Sequence, residues 1–245
     1  MEKEKVKKTT IIMYLILMVI VLGFMILLVS LSSKKLSIGN SACNIVYQPS
    51  VKSYSSYPNF CIDKNQIYTA EIETSYGNIK LDLYPKAAPL AVNNFVFLSE
   101  SGFYNNNIFN RIVKGFVIQG GIPANDTSGG PGYHFDDQIN PTSLNMPSLL
   151  INAYKKKGYV YDYNVKSIPF APYVIAMASS GANTDGSQFF ITTGKDTQLN
   201  GLYTVFGKVT SGISVINRIS NVPVNAKAHH APINKVYINK ILINP

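Results

Sequence analysis

Residues 109–119 have the sequence Phe-Asn-Arg-Ile-Val-Lys-Gly-Phe-Val-Ile-Gln. The stretch is mostly apolar and rich in branched side chains, which is typical of a buried strand. Arg111 interrupts this pattern in a chain that has twenty Lys but only two Arg. Its planar guanidinium, between Phe109 and Phe116, offers several rigidly placed hydrogen-bond donors in an apolar wall. A structural Arg that extends from the strand edge into solvent fits this stretch equally well.

Two later stretches favour a functional role for Arg111. Residues 176–191 read Ala-Met-Ala-Ser-Ser-Gly-Ala-Asn-Thr-Asp-Gly-Ser-Gln-Phe-Phe-Ile, and residues 199–209 read Leu-Asn-Gly-Leu-Tyr-Thr-Val-Phe-Gly-Lys-Val. With the first stretch, continued to Gly121, they keep the order and spacing of three motifs of one family. The chain therefore resembles the cyclophilin-type peptidyl-prolyl isomerases from about Tyr68 to its C-terminus, apart from one long segment between the first two motifs.

The pattern of strands and helices agrees with this resemblance. Apolar residues alternate on both sides of the sequence Ser-Tyr-Gly-Asn at 75–78, which predicts a β-hairpin. Apolar residues at helical spacing over 89–101 and 211–219 predict two helices. The resemblance implies a mainly β fold, namely an eight-stranded antiparallel barrel closed by two helices, with the active groove on its outer face.

The resemblance also implies roles for individual residues. Rotation about an X–Pro bond is limited by amide resonance, so its catalysis requires no nucleophile, metal or cofactor. By resemblance, Arg111 donates a hydrogen bond to the prolyl nitrogen, Gln119 positions Arg111, and Phe116 lines the proline slot. These three form the predicted catalytic set. The predicted substrate-binding residues are Val117, Ala178, Ser179, Gln188, Phe190, Leu199 and Tyr203.

Several positions depart from the family pattern, although the arginine and the two phenylalanines are kept. Ser179 stands where the family usually has Asn, and Tyr203 stands where it often has His. Gln198 occupies the position of a Trp that is associated with cyclosporin binding. No metal site is predicted, because the three His residues have no Cys or carboxylate at ligand spacing.

Residues 11–31 form a run of 21 residues without a charged side chain, about the length of a helix that crosses a membrane. We predict an uncleaved transmembrane helix, because the apolar part of a cleaved signal peptide usually spans about 7–15 residues. Lipoprotein cleavage before Cys43 is an alternative. Four Lys precede the run and two closely follow it, which favours a cytoplasmic N-terminus over residues 1–10 and an extracytoplasmic C-terminal domain.

Residues 32–66 are polar and show neither helical nor strand periodicity, so we predict a tether that leads to an isomerase domain at 67–245. Cys43 and Cys61 are an even pair that can form a disulfide in an oxidising compartment, although two unrelated thiols fit as well. The long segment between the first two motifs suggests a Tyr-rich surface insertion around residues 150–172. It is either a tolerated loop or a partner contact.

Charge distribution limits the range of partners. The net charge is +9, of which residues 1–35, with six Lys and two Glu, contribute +4. The other Lys residues are scattered, so we predict no nucleic-acid-binding face. We expect a monomeric domain, anchored through residues 11–31, that isomerises X–Pro bonds in unfolded or exported chains. The alternative is a proline-peptide-binding or chaperone module of the same fold without significant turnover.

Overall fold

The computed structural model describes residues 42–43, 45, 47–48, 50, 53–123 and 129–244. The predicted cytoplasmic segment 1–10 and the predicted transmembrane helix 11–31 lie outside these residues, as does the first part of the predicted tether. In the part of the chain that the structure describes, no helix has the length and apolarity that crossing a membrane requires.

Eight strands close into the antiparallel barrel that the sequence predicts. The barrel strands are β1 (Tyr68–Thr74), β2 (Gly77–Leu83), β3 (Asn107–Val113), β4 (Val117–Gly120), β5 (Val174–Met177), β6 (Phe189–Thr192), β7 (Val205–Ser211) and β10 (Tyr237–Asn244). Two short strands outside the barrel, β8 (Val224–Asn225) and β9 (Ala231–Pro232), precede β10 in the sequence. Around the barrel the order is β1-β10-β3-β4-β6-β5-β7-β2, while β8 and β9 form a separate two-stranded sheet.

Within the described residues, three α-helices accompany the barrel rather than the two that the sequence predicts. They are α1 (Pro89–Glu100), α2 (Ser148–Lys155) and α3 (Ile213–Ser220). The predicted helices correspond to α1 and α3, and α1 begins with a Pro that suits a first helical turn. The additional helix, α2, lies in the insertion and has no buried residue. Its apolar side chains Leu149 and Leu150 are exposed, so this helix does not contribute to the barrel core.

Aromatic residues fill the barrel core and fix α1 to it. The ring of Phe95, on α1, lies 5.2–5.5 Å from those of Tyr104, Phe189 and Phe206, measured between centroids. All four side chains are completely buried. Each aromatic pair of this kind adds about 0.5–1.5 kcal/mol beyond the burial of its area, so the position of α1 is strongly determined.

The hairpin formed by β3 and β4 carries the arginine motif. Arg111 lies directly opposite Gln119 in this pair, and the register shifts between Phe109 and Arg111. Residues directly opposite each other in an antiparallel pair project from the same face of the sheet. The side chains of Arg111 and Gln119 are therefore neighbours. The turn between the strands contains Gly115 with φ of +73°, a conformation that favours glycine.

The described residues of 42–66, here called the N-terminal strap, pack against α1. Cys43 and Cys61 form a disulfide, which the sequence alone leaves open. The amide of Cys61 donates to Asn93 Oδ1 on α1 over 2.8 Å, and the Tyr57 hydroxyl donates to a carbonyl of the same helix over 2.8 Å. The packed part of the chain thus begins before the predicted domain start at residue 67.

Candidate active site

One pocket brings together nine of the ten predicted site residues and has a volume of about 240 Å³. Its apolar residues belong to a cluster that is separate from the barrel core. The tenth predicted residue, Gln188, lies beside the pocket and contacts Gln119. The pocket is lined by Arg111, Phe116, Val117, Gln119, Ala178, Ser179, Phe190, Leu199 and Tyr203.

The barrel strands bring these side chains together from distant parts of the sequence. Gln119 on β4 lies opposite Phe190 on β6 as well as opposite Arg111 on β3. Three neighbouring strands therefore place a guanidinium, an amide and an aromatic ring side by side. The other walls come from the loops, with Ala178 directly after β5 and Leu199 at the end of a short 3-10 helix.

Within the described ranges, Arg111 uses little of its hydrogen-bonding capacity. One terminal nitrogen donates to Gln119 Oε1 over 3.4 Å, and the guanidinium lies 5.8 Å from the centroid of the Phe116 ring. Among the described residues, no carboxylate lies within ion-pair distance of it. A guanidinium has five N–H donors, so several of them are available to a group that enters the pocket.

Gln119 is held in place by a chain of amides. Its Nε2 donates to Gln188 Oε1 over 3.0 Å, and Gln188 Nε2 donates to the carbonyl of Gly129 over 3.0 Å. This arrangement leaves Gln119 Oε1 facing Arg111. Gln188 therefore orients Gln119 and, through it, Arg111. Its predicted direct role in substrate binding stays a prediction.

The apolar cluster behind the pocket includes a residue that the sequence does not suggest. Phe170 is buried and stacks on Phe190, with ring centroids 5.9 Å apart and ring planes inclined by 3°. Tyr203 contacts the same ring edge-on at 5.5 Å. Phe170 lies near the end of the insertion and belongs to none of the three motifs, so nothing in the sequence marks it as part of the site.

The insertion rests on both loops that border the pocket. Asn183 Nδ2 donates to the carbonyl of Gly158 over 3.1 Å, and the Tyr161 hydroxyl donates to the carbonyl of Gly201 over 3.3 Å. Gly201 has φ of +86°, and a Cβ at this position would meet the side chain of Met146. The insertion is thus packed against the site, although the sequence shows only that extra residues are present.

A metal-dependent site finds no support in the described ranges. They contain no group of three or more His, Cys, Asp or Glu residues that could hold a metal ion. The arrangement that they do contain is an apolar slot with a cationic hydrogen-bond donor at its edge. Such a site suits a substrate that presents an apolar ring next to a polar backbone.

Comparison with known proteins identifies the same region of the chain. The family model described as cyclophilin type peptidyl-prolyl cis-trans isomerase/CLD matches residues 69–242. The peptidyl-prolyl cis-trans isomerase-like 3 of Dictyostelium discoideum is 39% identical over 176 residues, which cover 71% of this chain and 93% of that relative.

Solved structures give a similar result. The crystal structure of a cyclophilin type peptidyl-prolyl cis-trans isomerase from Cryptosporidium parvum aligns with a TM-score of 0.60 and 35% identity, over 74% of this chain and 99% of that one. A second structure of that isomerase, obtained in the presence of the dipeptide Ala-Pro, aligns with a TM-score of 0.58 and 35% identity, over 72% and 99% of the two chains.

Proposed function

The chain belongs to the cyclophilin-type peptidyl-prolyl isomerase family, and we propose that it catalyses cis–trans rotation about X–Pro bonds in polypeptide substrates. The observation that carries this proposal is the Arg111 guanidinium at the edge of an apolar slot, where Gln119 is its hydrogen-bond partner and no described carboxylate pairs with it. Uncatalysed rotation faces a barrier of about 18–20 kcal/mol because the amide nitrogen is conjugated with the carbonyl. It takes about 10–100 s at 25 °C.

The chemistry follows from which state of the substrate the site stabilises. As the X–Pro bond twists, conjugation is lost and the prolyl nitrogen becomes pyramidal, with a lone pair that accepts a hydrogen bond. An N–H of Arg111 donates to this lone pair in the twisted state and has no such acceptor in the planar ground states. An interaction made only in the transition state lowers the barrier.

The remaining site residues hold the peptide around this bond. The proline ring occupies the slot formed by Phe116, Val117 and Phe190, with Leu199 and Tyr203 at its edge. The main chain at Ala178 and Ser179 binds the substrate backbone, which supports one flank of the peptide while the other rotates. Gln119 orients Arg111 and contacts the substrate carbonyl. These are the roles that the family resemblance implies for residues that line the pocket.

We also propose that the enzyme is anchored by residues 11–31 and acts outside the cytoplasm on unfolded or exported chains. The length of this uncharged run and the Lys residues that precede it support the anchor and its orientation. The disulfide between Cys43 and Cys61 is compatible with this location, because structural disulfides persist mainly in oxidising compartments.

A protease-coupled assay of cis-to-trans isomerisation on a short Ala-Pro peptide tests the activity. The fragment 40–245 is suited to this assay, because Asn40–Pro245 is one compact unit of the chain. Acceleration that is lost in an Arg111 variant supports the enzyme. Peptide binding without acceleration would instead establish the alternative, a binding or chaperone module of the same fold.

A further inference from the structure

Two aspartates are buried beneath the loop that leads into the pocket. Asp137 and Asp185 are 2% and 0% exposed, respectively. Neither carboxyl oxygen of Asp185, nor Oδ1 of Asp137, has a hydrogen-bond partner among the described residues. In the same ranges, no Lys or Arg lies within ion-pair distance of either group. Buried carboxylates are normally paired or hydrogen-bonded, so this arrangement requires an explanation.

The two residues belong to different loops that are joined at this point. The amide of Asn183 donates to Asp137 Oδ2 over 2.7 Å, and the amide of Asp137 donates to Asn183 Oδ1 over 3.3 Å. The amide of Phe135 donates to the carbonyl of Asp185 over 3.0 Å. The loop 178–188 is therefore hydrogen-bonded to the segment 133–139 at Asn183 and at Asp185.

The same loop forms one wall of the pocket. Its first residues, Ala178 and Ser179, line the pocket, and the amide of Ala178 donates to the carbonyl of Gln188 at the other end of the loop. Between these ends, the amide of Ser180 donates to Thr184 Oγ1 over 3.1 Å. Asp185 is therefore connected to the pocket wall through a short, internally bonded loop.

The surroundings oppose the presence of two negative charges. Burial, and then the nearby Asp137, raise the pKa of Asp185 well above its usual range. The Thr204 hydroxyl lies close enough to lower this pKa in part, although it does not meet the geometry of a hydrogen bond to either oxygen. Burial also raises the pKa of Asp137, against the lowering effect of its hydrogen bonds. Two carboxyl groups that share one site retain a proton over a wider pH range than either would alone.

We propose that Asp137 and Asp185 share one proton and that the protonated pair positions the loop 178–188 as the wall of the peptide pocket. One O–H between the two groups gives a partner to oxygens that otherwise have none. Removal of the proton places two like charges in a poorly solvated space, and the loop separates from segment 133–139 to admit water. The effect on peptide binding rests on the function proposed above, whereas the shared proton does not.

Other titratable groups around the pair can be separated from it experimentally. Asp136 is exposed and adjacent in sequence, and His134 lies beside Gly186 in the loop. The phenols of Tyr159 and Tyr203 also face this region. Burial raises the pKa of Tyr159, and that of Tyr161, which is also near Asp137, to about 12, so both groups stay neutral at the pH values concerned.

The direct test is a titration of the carboxyl carbons by NMR in the peptide-free fragment 40–245. We expect Asp137 and Asp185 to titrate as a coupled pair, with the upper step far above the ordinary aspartate value of about 3.9. Hydrogen-exchange protection at the Asn183 amide should fall as the pH rises through that step. If both groups titrate near the ordinary value, the shared proton does not exist and the proposal is wrong.

Variants connect the proton to the pocket. Binding of an Ala-Pro peptide to the wild-type domain should weaken about fivefold or more as the pH rises through the upper step. Asp185→Asn keeps the side-chain shape without the charge, so its affinity should stay at the low-pH wild-type level throughout. Asp137→Asn should show the same pH-independent affinity, and it replaces Asp185→Asn in this test if that variant does not fold. The controls, Asp136→Asn and His134→Asn, should retain the wild-type pH dependence.

Two outcomes overturn the positioning role. One is a pH dependence of binding that persists in both Asp185→Asn and Asp137→Asn. The other is a wild-type affinity that does not change across the upper step. If the peptide binds at no pH, the function proposed above fails, but the role of the proton can still be tested. Hydrogen-exchange protection at the Asn183 amide should then fall with rising pH in the wild type and not in Asp185→Asn. Equal pH dependence in both proteins would show that the proton does not position the loop.

Discussion

Phe170 stacks face to face on Phe190, with ring centroids 5.9 Å apart, and so connects the end of the insertion to the floor of the pocket. Phe190 belongs to a barrel strand, whereas Phe170 is the fourth residue before β5. The shape of the slot therefore depends on a residue outside the three motifs. This contact leads to the first prediction.

Phe170→Leu should lower kcat/KM for Ala-Pro peptides, mainly through a higher KM, because the Phe190 ring loses the surface that holds its orientation. The fold should lose about 1–3 kcal/mol of stability, as is common for core substitutions. Steady-state kinetics and thermal unfolding measure the two effects. Phe206→Leu, in the barrel core, is the matched control and should lower stability without raising KM. Equal KM values in both variants would contradict a role for Phe170 in the slot.

Arg111→Lys should lower kcat/KM about 30- to 1000-fold, which corresponds to about 2–4 kcal/mol. Lysine keeps the charge but replaces a rigid planar group by a mobile, strongly hydrated ammonium. The melting temperature should change little, because no core volume is lost. Arg218→Lys is the control, since the only other Arg of the chain is exposed on α3. Near-wild-type turnover of folded Arg111→Lys would favour the binding-module alternative.

Reduction of the disulfide between Cys43 and Cys61 should destabilise the domain by about 3 kcal/mol, because the bond closes a loop with a sequence separation of 18 residues. For a domain of this size the melting temperature should fall by about 6–12 °C. Thermal melts of fragment 40–245 with and without reductant measure the shift. The double variant Cys43→Ser/Cys61→Ser should show the lower value under both conditions. If the melting temperature of the wild type is the same with and without reductant, the strap is held by its other contacts.

Gln198→Trp should bind cyclosporin about tenfold more tightly or better, since an indole supplies a large apolar face together with an N–H donor. Gln198 is exposed and does not line the pocket, so turnover of the peptide should hardly change. Inhibition of the coupled assay gives the affinity, and Gln198→Leu separates the apolar contribution from that of the donor. Tight inhibition of the unaltered protein would mean that another residue replaces the indole.

A reporter that is active only outside the cytoplasm should give a signal when fused after Pro245. The Lys residues ahead of residues 11–31 favour retention of the N-terminus in the cytoplasm. Enzymatic activity of the reporter in intact cells measures the orientation, and a cytoplasmic reporter at the same position is the control. Signal from the cytoplasmic reporter alone would reverse the proposed topology.

The parts of the fold that follow from repeated patterns could be predicted. The barrel strands alternate apolar and polar residues, as in β1, and three ordered motifs placed Arg111, Gln119 and Phe190 in one pocket. Each of these signals involves several residues at regular spacing, so a sequence alone reveals it.

Features that depend on single long-range contacts could not be predicted. Phe170 reaches Phe190 across twenty residues, and Asp185 meets Asp137 only after two loops come together. The strap is polar and without periodicity, and it packs through individual bonds such as that of Cys61 to Asn93. The helix α2 is short and has no buried residue, so its apolar side chains do not indicate a helix that faces the core.

The disulfide of the strap also determines what a protease can release. Cys43 and Cys61 are covalently joined, and the segment between them contains exposed residues such as Ser55 and Asn59, the kind of position that proteases prefer. A single cut within 44–60 breaks the peptide chain but leaves the barrel domain attached, through sulfur, to whatever precedes Cys43. Shedding of the domain by such a cut therefore requires a reductant as well as a protease.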